Sequence, residues 1–222
     1  MLDRLRWLWS GHLGVGIAAA LLAGCAQMPP RPPDARAERL GELFAQAVPV
    51  GEVVRVVAER NPRWPVHDLP PGKVTPEQTR CLRAELTPEK VAAFQRADAR
   101  RFVERHPGQA DEAIRILSHG GAELFGKLIM AGGQEELTGQ RANARAIMQG
   151  ATPGQLKEFM QLTTGAGYAD LRQALRIDGI TSSLGDEPAT ARQRGRRAGQ
   201  AMVLEPLLTA METCKVPSST LF

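Results

Sequence analysis

Aromatic side chains, histidines and long apolar runs are all scarce in this 222-residue chain. Aromatics make up 5% of it, with one tyrosine, Tyr168, and three tryptophans, of which Trp7 and Trp9 sit at the extreme N-terminus. Only Trp64 lies deeper in the sequence. Surfaces that hold sugars or single-stranded nucleic acid are built on stacked aromatic faces, so this inventory argues against both, and nucleic acid is not an expected partner. Beyond the N-terminal segment the histidines are His67, His106 and His119, on separate stretches and without the spacing of a zinc site. There is no His-Glu-x-x-His, no phosphate-cradling Gly-Lys-Ser/Thr loop and no Gly-x-Ser-x-Gly elbow. Ser118 adjoins His119, but helix neighbours point in different directions, which excludes a nucleophile-base pair. The acid pairs Asp111-Glu112 and Glu135-Glu136 fall early in predicted helices, where the helix dipole accounts for them. No pattern asks for a metal or a cofactor.

What the chain does have begins at its N-terminus. Arg4 and Arg6 precede an apolar run from Leu13 to Leu22, too short to span a bilayer comfortably, so the segment reads as a secretory signal. It closes on Leu22-Ala23-Gly24-Cys25. This resembles the lipobox of bacterial lipoproteins, whose cysteine is acylated before cleavage makes it the new N-terminus. The resemblance covers the first 25 residues. It implies diacylglycerol on Cys25, a third acyl chain on its amine and, because Ala26 rather than aspartate follows, the periplasmic face of the outer membrane. Each buried methylene contributes about 0.8 kcal/mol, so several chains would anchor almost permanently. The bland alternative is an ordinary signal peptide cut elsewhere, leaving Cys25 removed or unmodified.

With residues 1–24 removed, the 28 basic and 24 acidic side chains fall by two and one, leaving a net charge of +3. That is mildly basic. Residues 26–33, Ala-Gln-Met-Pro-Pro-Arg-Pro-Pro, should extend as polyproline II, either as a stalk between membrane and domain or as a disordered leader. The rest is long enough for one domain with a real core. Its apolar residues are mostly Ala, Leu, Val and Met, with little strict alternation, which predicts helices. The expected organisation is a signal peptide (1–24), an acylated Cys25 with its tether (25–33), an all-α bundle of seven to nine helices in a single domain (34–216), and a short tail (217–222).

Asp34 is placed to cap a first helix whose stripe is Leu40, Leu43, Phe44 and Ala47, with Pro49 as its stop. A second runs from Gly51 to Arg60; its Val53-Val54-Arg55-Val56-Val57 could be a strand, but nothing alternates and no hairpin turn adjoins it. The proline-rich stretch to Thr75 is either a loop pinned by Trp64 or a binding surface. Thr75-Pro76, Thr87-Pro88 and Thr152-Pro153 each signal a helix start, with Gln78 and Gln155 completing capping boxes. Leu86–Phe94 also matches Ala151–Phe159, a weak hint of duplication. Gln109 to Ala131 has the clearest helical stripe and is the expected core helix. Its Gly120-Gly121 pair predicts a close helix approach or a kink, and Gly132-Gly133 its end. A weaker helix is expected from Gln134 to Met148. The run Thr152 to Leu175, a Thr-Pro start, Phe159, a Thr/Gly break and a final amphipathic turn, resembles uncharacterised helical proteins of the bacterial envelope, which implies helices and the periplasm but no catalytic residue.

After a loop from Ile180 to Pro188, the last helix is expected over Ala189 to Cys214, with Val203, Leu204, Leu207, Leu208 and Met211 on one face. If Cys25 is acylated, Cys81 and Cys214 remain, an even pair in an oxidising compartment, and a disulfide between them is expected; the alternative is two buried thiols. The first half of the last helix carries Arg192, Arg194, Arg196 and Arg197. Cations at a helix N-terminus oppose the macrodipole, which suggests another use; a solvated helix face is the default reading, with an anion-binding patch as its alternative. The chain therefore reads as a non-catalytic binding or structural protein of the envelope, held to the membrane by its lipid and contacting an envelope protein or an anionic lipid or glycan. The rival is an enzyme whose pocket gathers distant residues, with His106 or His119 beside acids.

Overall fold

Leu40, Leu43, Phe44 and Ala47, three and four residues apart, turn one face of α1 (Ala35–Ala47) into the centre of the molecule, where each is at most 1% exposed. Asp34 caps this helix by accepting from the Arg36 amide at 2.9 Å. The computed structural model describes residues 34–66, 69–70, 72–140, 143–181 and 188–220. The lipobox, Cys25, the proline-rich tether, His67 and most of the loop before the last helix lie outside the described residues. From Asp34 on, the chain forms one unit.

The β-branched run is helical: α2 (Val50–Arg60) buries Val50 and Val54, while Arg55 on its outer side bridges Glu52 at 2.5 Å and Glu59 at 2.6 Å. All three Thr-Pro pairs start helices, α3 (Pro76–Glu85), α4 (Pro88–Arg105) and, further on, Pro153–Thr164. The hydroxyls of Thr75, Thr87 and Thr152 accept from the amides of Gln78, Lys90 and Gln155. Gln78 and Gln155 reach back to complete the two boxes, whereas Lys90 pairs with Glu85 at 2.8 Å. Between α2 and α3 the proline-rich loop is packed down. Trp64 is half-buried against the core, and Arg83 donates to the carbonyls of Pro62 and Ala58 at 2.8 and 3.1 Å.

The stretch Gln109 to Ala131 takes the kink that its glycines predict. It is a bent helix, with α5 (Ala110–Ile116) joined through a π-turn (Leu117–Gly121) to α6 (Ala122–Thr138). Both readings of its glycines hold. Gly120 has φ 104°, and a β-carbon there would sit 2.3 Å from Cγ of Gln155 on the helix laid over the turn. Gly126 faces the Gln46 carbonyl of α1 with room for no side chain, at 2.2 Å. Gly132 and Gly133, however, do not end α6. The helix tolerates them and stops at Gly139, whose left-handed φ of 68° closes the C-terminus. The expected helix from Gln134 to Met148 is consequently divided. Its first turn belongs to α6, and Asn143 caps a separate short α7 (Ala144–Gln149) by accepting from the Ala146 amide. The bent helix is central to the packing, lying against α1 on one side and the third Thr-Pro helix on the other, and α1 in turn lies against α4.

The third Thr-Pro helix, α8 (Pro153–Thr164), packs on the π-turn; a 3-10 turn (Ala166–Tyr168), α9 (Ala169–Leu175), the single turn α10 (Asp178–Thr181), α11 (Pro188–Thr213) and a last 3-10 turn (Ser218–Thr220) complete the chain. Taking α5 and α6 as one bent helix and setting aside α10 leaves nine helices and, among the described residues, no strand: the fold is all-α. Pro206 lies inside α11 without ending it. The apolar face expected of this helix is divided. Its buried line runs through Ala198, Met202, Pro206 and Ala210 to Met211 and Cys214, with Val203 and Leu207 at the margin of the core. Leu204 and Leu208 stand two positions off that line and are 42% and 38% exposed. Cys81 of α3 and Cys214 are joined by a disulfide, with Cα atoms 5.7 Å apart across 133 residues of sequence.

Candidate basic surface

Gln193, Arg194, Arg196 and Arg197 belong in water, and with Gly195 between them all five residues are exposed on the first half of α11. Arg194 and Arg197, three apart, share a face, with Arg196 to one side. Arg194 and Arg196 each also engage another group of the protein. Arg192 lies in the same helix, but its side chain falls outside the described residues. Three of the four expected arginines are thus brought onto one solvent-facing turn.

Further along α11 a charge cluster ties the helix to α4 and α9. Arg176 ends α9 with φ 59° and sets its guanidinium between Glu205 of α11 and Asp98 of α4, the latter at 3.2 Å. Arg101 contacts Asp98 and stands 3.6 Å from Glu205. Burial works to lower the Arg176 pKa, but the Glu205 hydrogen bond and the Asp98 charge outweigh it and hold it above the ordinary value. Beside this cluster Phe44, Phe94, Gln95 and Met202 help line a cavity of about 20 Å³, room for roughly one water and for no substrate.

A second cluster surrounds the π-turn and was not singled out from sequence. Arg115 forks onto Glu112 at 2.7 and 2.8 Å and reaches Glu158 of α8 at 3.0 Å, while the Tyr168 hydroxyl donates to Glu112 at 2.5 Å. The Arg115 hydrogen bonds, then that of Tyr168, pull the Glu112 carboxyl down to about 2. Glu112 and Glu158 in turn raise Arg115, and Glu112 raises Tyr168. Glu158 is 7% exposed, and its Oε2 has no partner. The Glu112–Arg115 spacing of three was the available signal; nothing in sequence joins either residue to Glu158 or Tyr168.

The two described histidines, His106 and His119, serve helix ends. His106 terminates α4, stacks on Phe102 with ring centres 5.2 Å apart, and sets Nδ1 at 3.3 Å from Asp170. His119 places Nδ1 at 2.6 Å from the Arg115 carbonyl. Neither residue lines the small cavity, nor the open groove of about 530 Å³ bordered by Gln46, Pro49, Glu123, Lys127, Met130 and Ile147. Among the described residues no three of His, Cys, Asp and Glu gather as a metal would require, and no helix is long and apolar enough to cross a membrane. No family model matches the chain, and no curated protein or solved structure matches it either. Function has to be argued from the surface itself.

Proposed function

We propose that this protein is a lipoprotein held by acylated Cys25 at the periplasmic face of the bacterial outer membrane, where it works as a non-catalytic binding protein. The contact is the basic turn Arg192, Arg194, Arg196 and Arg197, and its partner is an anionic component of the envelope. The observation that carries this reading is the exposure of Arg194, Arg196 and Arg197 together on one turn. The Cys81–Cys214 disulfide supports an oxidising compartment, as the lipobox does.

Two experiments test it. Metabolic acyl labelling should mark the wild-type chain and leave Cys25→Ala unlabelled; label persisting in the variant removes the anchor. For the contact, the full chain in neutral detergent should be retained on beads bearing an immobilised polyanion at low salt, and the four-fold Arg→Gln variant should elute early with an unchanged melting curve. Equal retention of the two proteins would remove the arginines from the argument.

A further inference from the structure

We propose that the exposed line Arg197, Ala201, Leu204 and Leu208 of α11 is a docking face for the anionic phospholipid surface of a bilayer. The arginines sit at the phosphates and the two leucines enter the acyl boundary. This rests on reading the basic turn as an anion contact, and it narrows the anion to a lipid.

The four residues recur at steps of four, three and four, which makes them one stripe, and all four are exposed. From Ala198 to Met211 the single charged side chain is Glu205, and it is matched by Arg176 and Arg101. The stripe therefore presents a basic end and an uncharged apolar middle, and meets an exposed acid only at Glu212, one turn past Leu208. That order complements a headgroup layer, in which phosphate and hydrocarbon lie within one helix width of each other. A soluble polyanion would gain nothing from the leucines. A second copy is the poorer occupant, since two partly exposed leucines leave far less than the roughly 800 Å² per partner that a stable dimer buries. Met160, 49% exposed on α8, is the internal comparison: a large apolar side chain with no second exposed leucine or methionine along its helix face.

The test reconstitutes the full chain into vesicles of phosphatidylglycerol or of phosphatidylcholine, each carrying a trace of the same lipid with a photoactivatable group on its acyl chain. Reduction and trypsin then release Ala198–Lys215, with both leucines, and Glu158–Arg172, with Met160. In phosphatidylglycerol, lipid adducts on the first peptide should exceed those on the second by about tenfold, and the Leu204→Ser/Leu208→Ser variant should lose that excess while melting as the wild type does. In phosphatidylcholine the excess should shrink. Equal labelling of the two peptides, or labelling untouched by the serine substitutions, overturns the inference. So does a dimer in sedimentation that the same substitutions abolish, since the face then belongs to a second copy. Polyanion retention reports separately on the arginines: in the serine variant unchanged retention with lost labelling confirms the lipid contact, whereas labelling untouched by the serine substitutions, with retention lost in the four-fold Arg→Gln variant, leaves the arginine contact standing without the lipid.

Discussion

Arg115 Nη1 lies 3.0 Å from Oε1 of Glu158, a carboxylate almost wholly enclosed between α8 and the π-turn, and among the described residues it is the one hydrogen-bond partner of that carboxylate. The arginine is itself 39% exposed, so solvent weakens the pair, but losing it would strand a buried charge. Arg115→Ala should lower stability by about 2 kcal/mol, and Arg115→Ala with Glu158→Gln by clearly less. Urea unfolding of the two variants checks this; identical losses would mean that Glu158 is indifferent to its partner.

Glu112 gives a pH signature. Its folded pKa of about 2 lies below the ordinary 4.5, so its contribution to stability is fully present above 4.5 and is lost as pH falls toward 2. Tyr168→Phe removes the second of its two main hydrogen-bonding partners and should raise the Glu112 pKa while leaving it below 4.5, because Arg115 remains. A carboxyl NMR titration of both proteins reads the shift directly.

Gly120→Ala meets two obstacles, a φ of 104° and Cγ of Gln155 at 2.3 Å from the new β-carbon. A loss of about 3 kcal/mol is expected. In a Gln155→Ala background the Cγ clash should vanish, while the backbone part and the tight approaches to Cβ and Cα of residue 155, 3.2 and 3.4 Å, remain, so the cost of the glycine substitution should fall to about 2 kcal/mol. A double-mutant cycle by thermal or urea unfolding separates the two.

Thr152 and Thr87 both cap helices, but only Thr152 belongs to a reciprocal box. Thr152→Ala should therefore destabilise by about 1–1.5 kcal/mol and Thr87→Ala by about 0.5–1 kcal/mol. Equal effects, measured at the same denaturant midpoint, would show that the Gln155 back-bond adds nothing.

Joining Cys81 to Cys214 closes a long loop, for which chain entropy allows up to about 5 kcal/mol. Reduction should lower the denaturant midpoint, reported by Trp64 fluorescence, without changing helical content under native conditions. Alkylation of the unreduced protein should leave both cysteines unmodified.

Local chemistry made much of the helical framework readable. A threonine followed by proline satisfies orphan amides whatever the rest of the chain does, so all three such starts were legible, as were the stripe of α1 and the helical character of α2. The Gly132-Gly133 pair misled because a glycine only weakens a helix, whereas a terminus needs a left-handed residue with its own hydrogen bond, which Gly139 supplies.

Sequence by itself determined that the described chain is helical and where most helices begin, because each of these depends on neighbours in the chain. Tertiary structure decided what depends on meeting. It bent 109–138 so that α8 could lie over Gly120, and it carried Arg115 of α5 to Glu158 of α8, 43 residues away. It also chose Ala198, Met202, Pro206 and Ala210 as the inward line of α11. Leu204 and Leu208 fit a helical stripe as well as those residues do, and periodicity cannot tell which of two stripes on one helix will find a neighbour; only the partners on α3, α4 and α10 settled which faced inward.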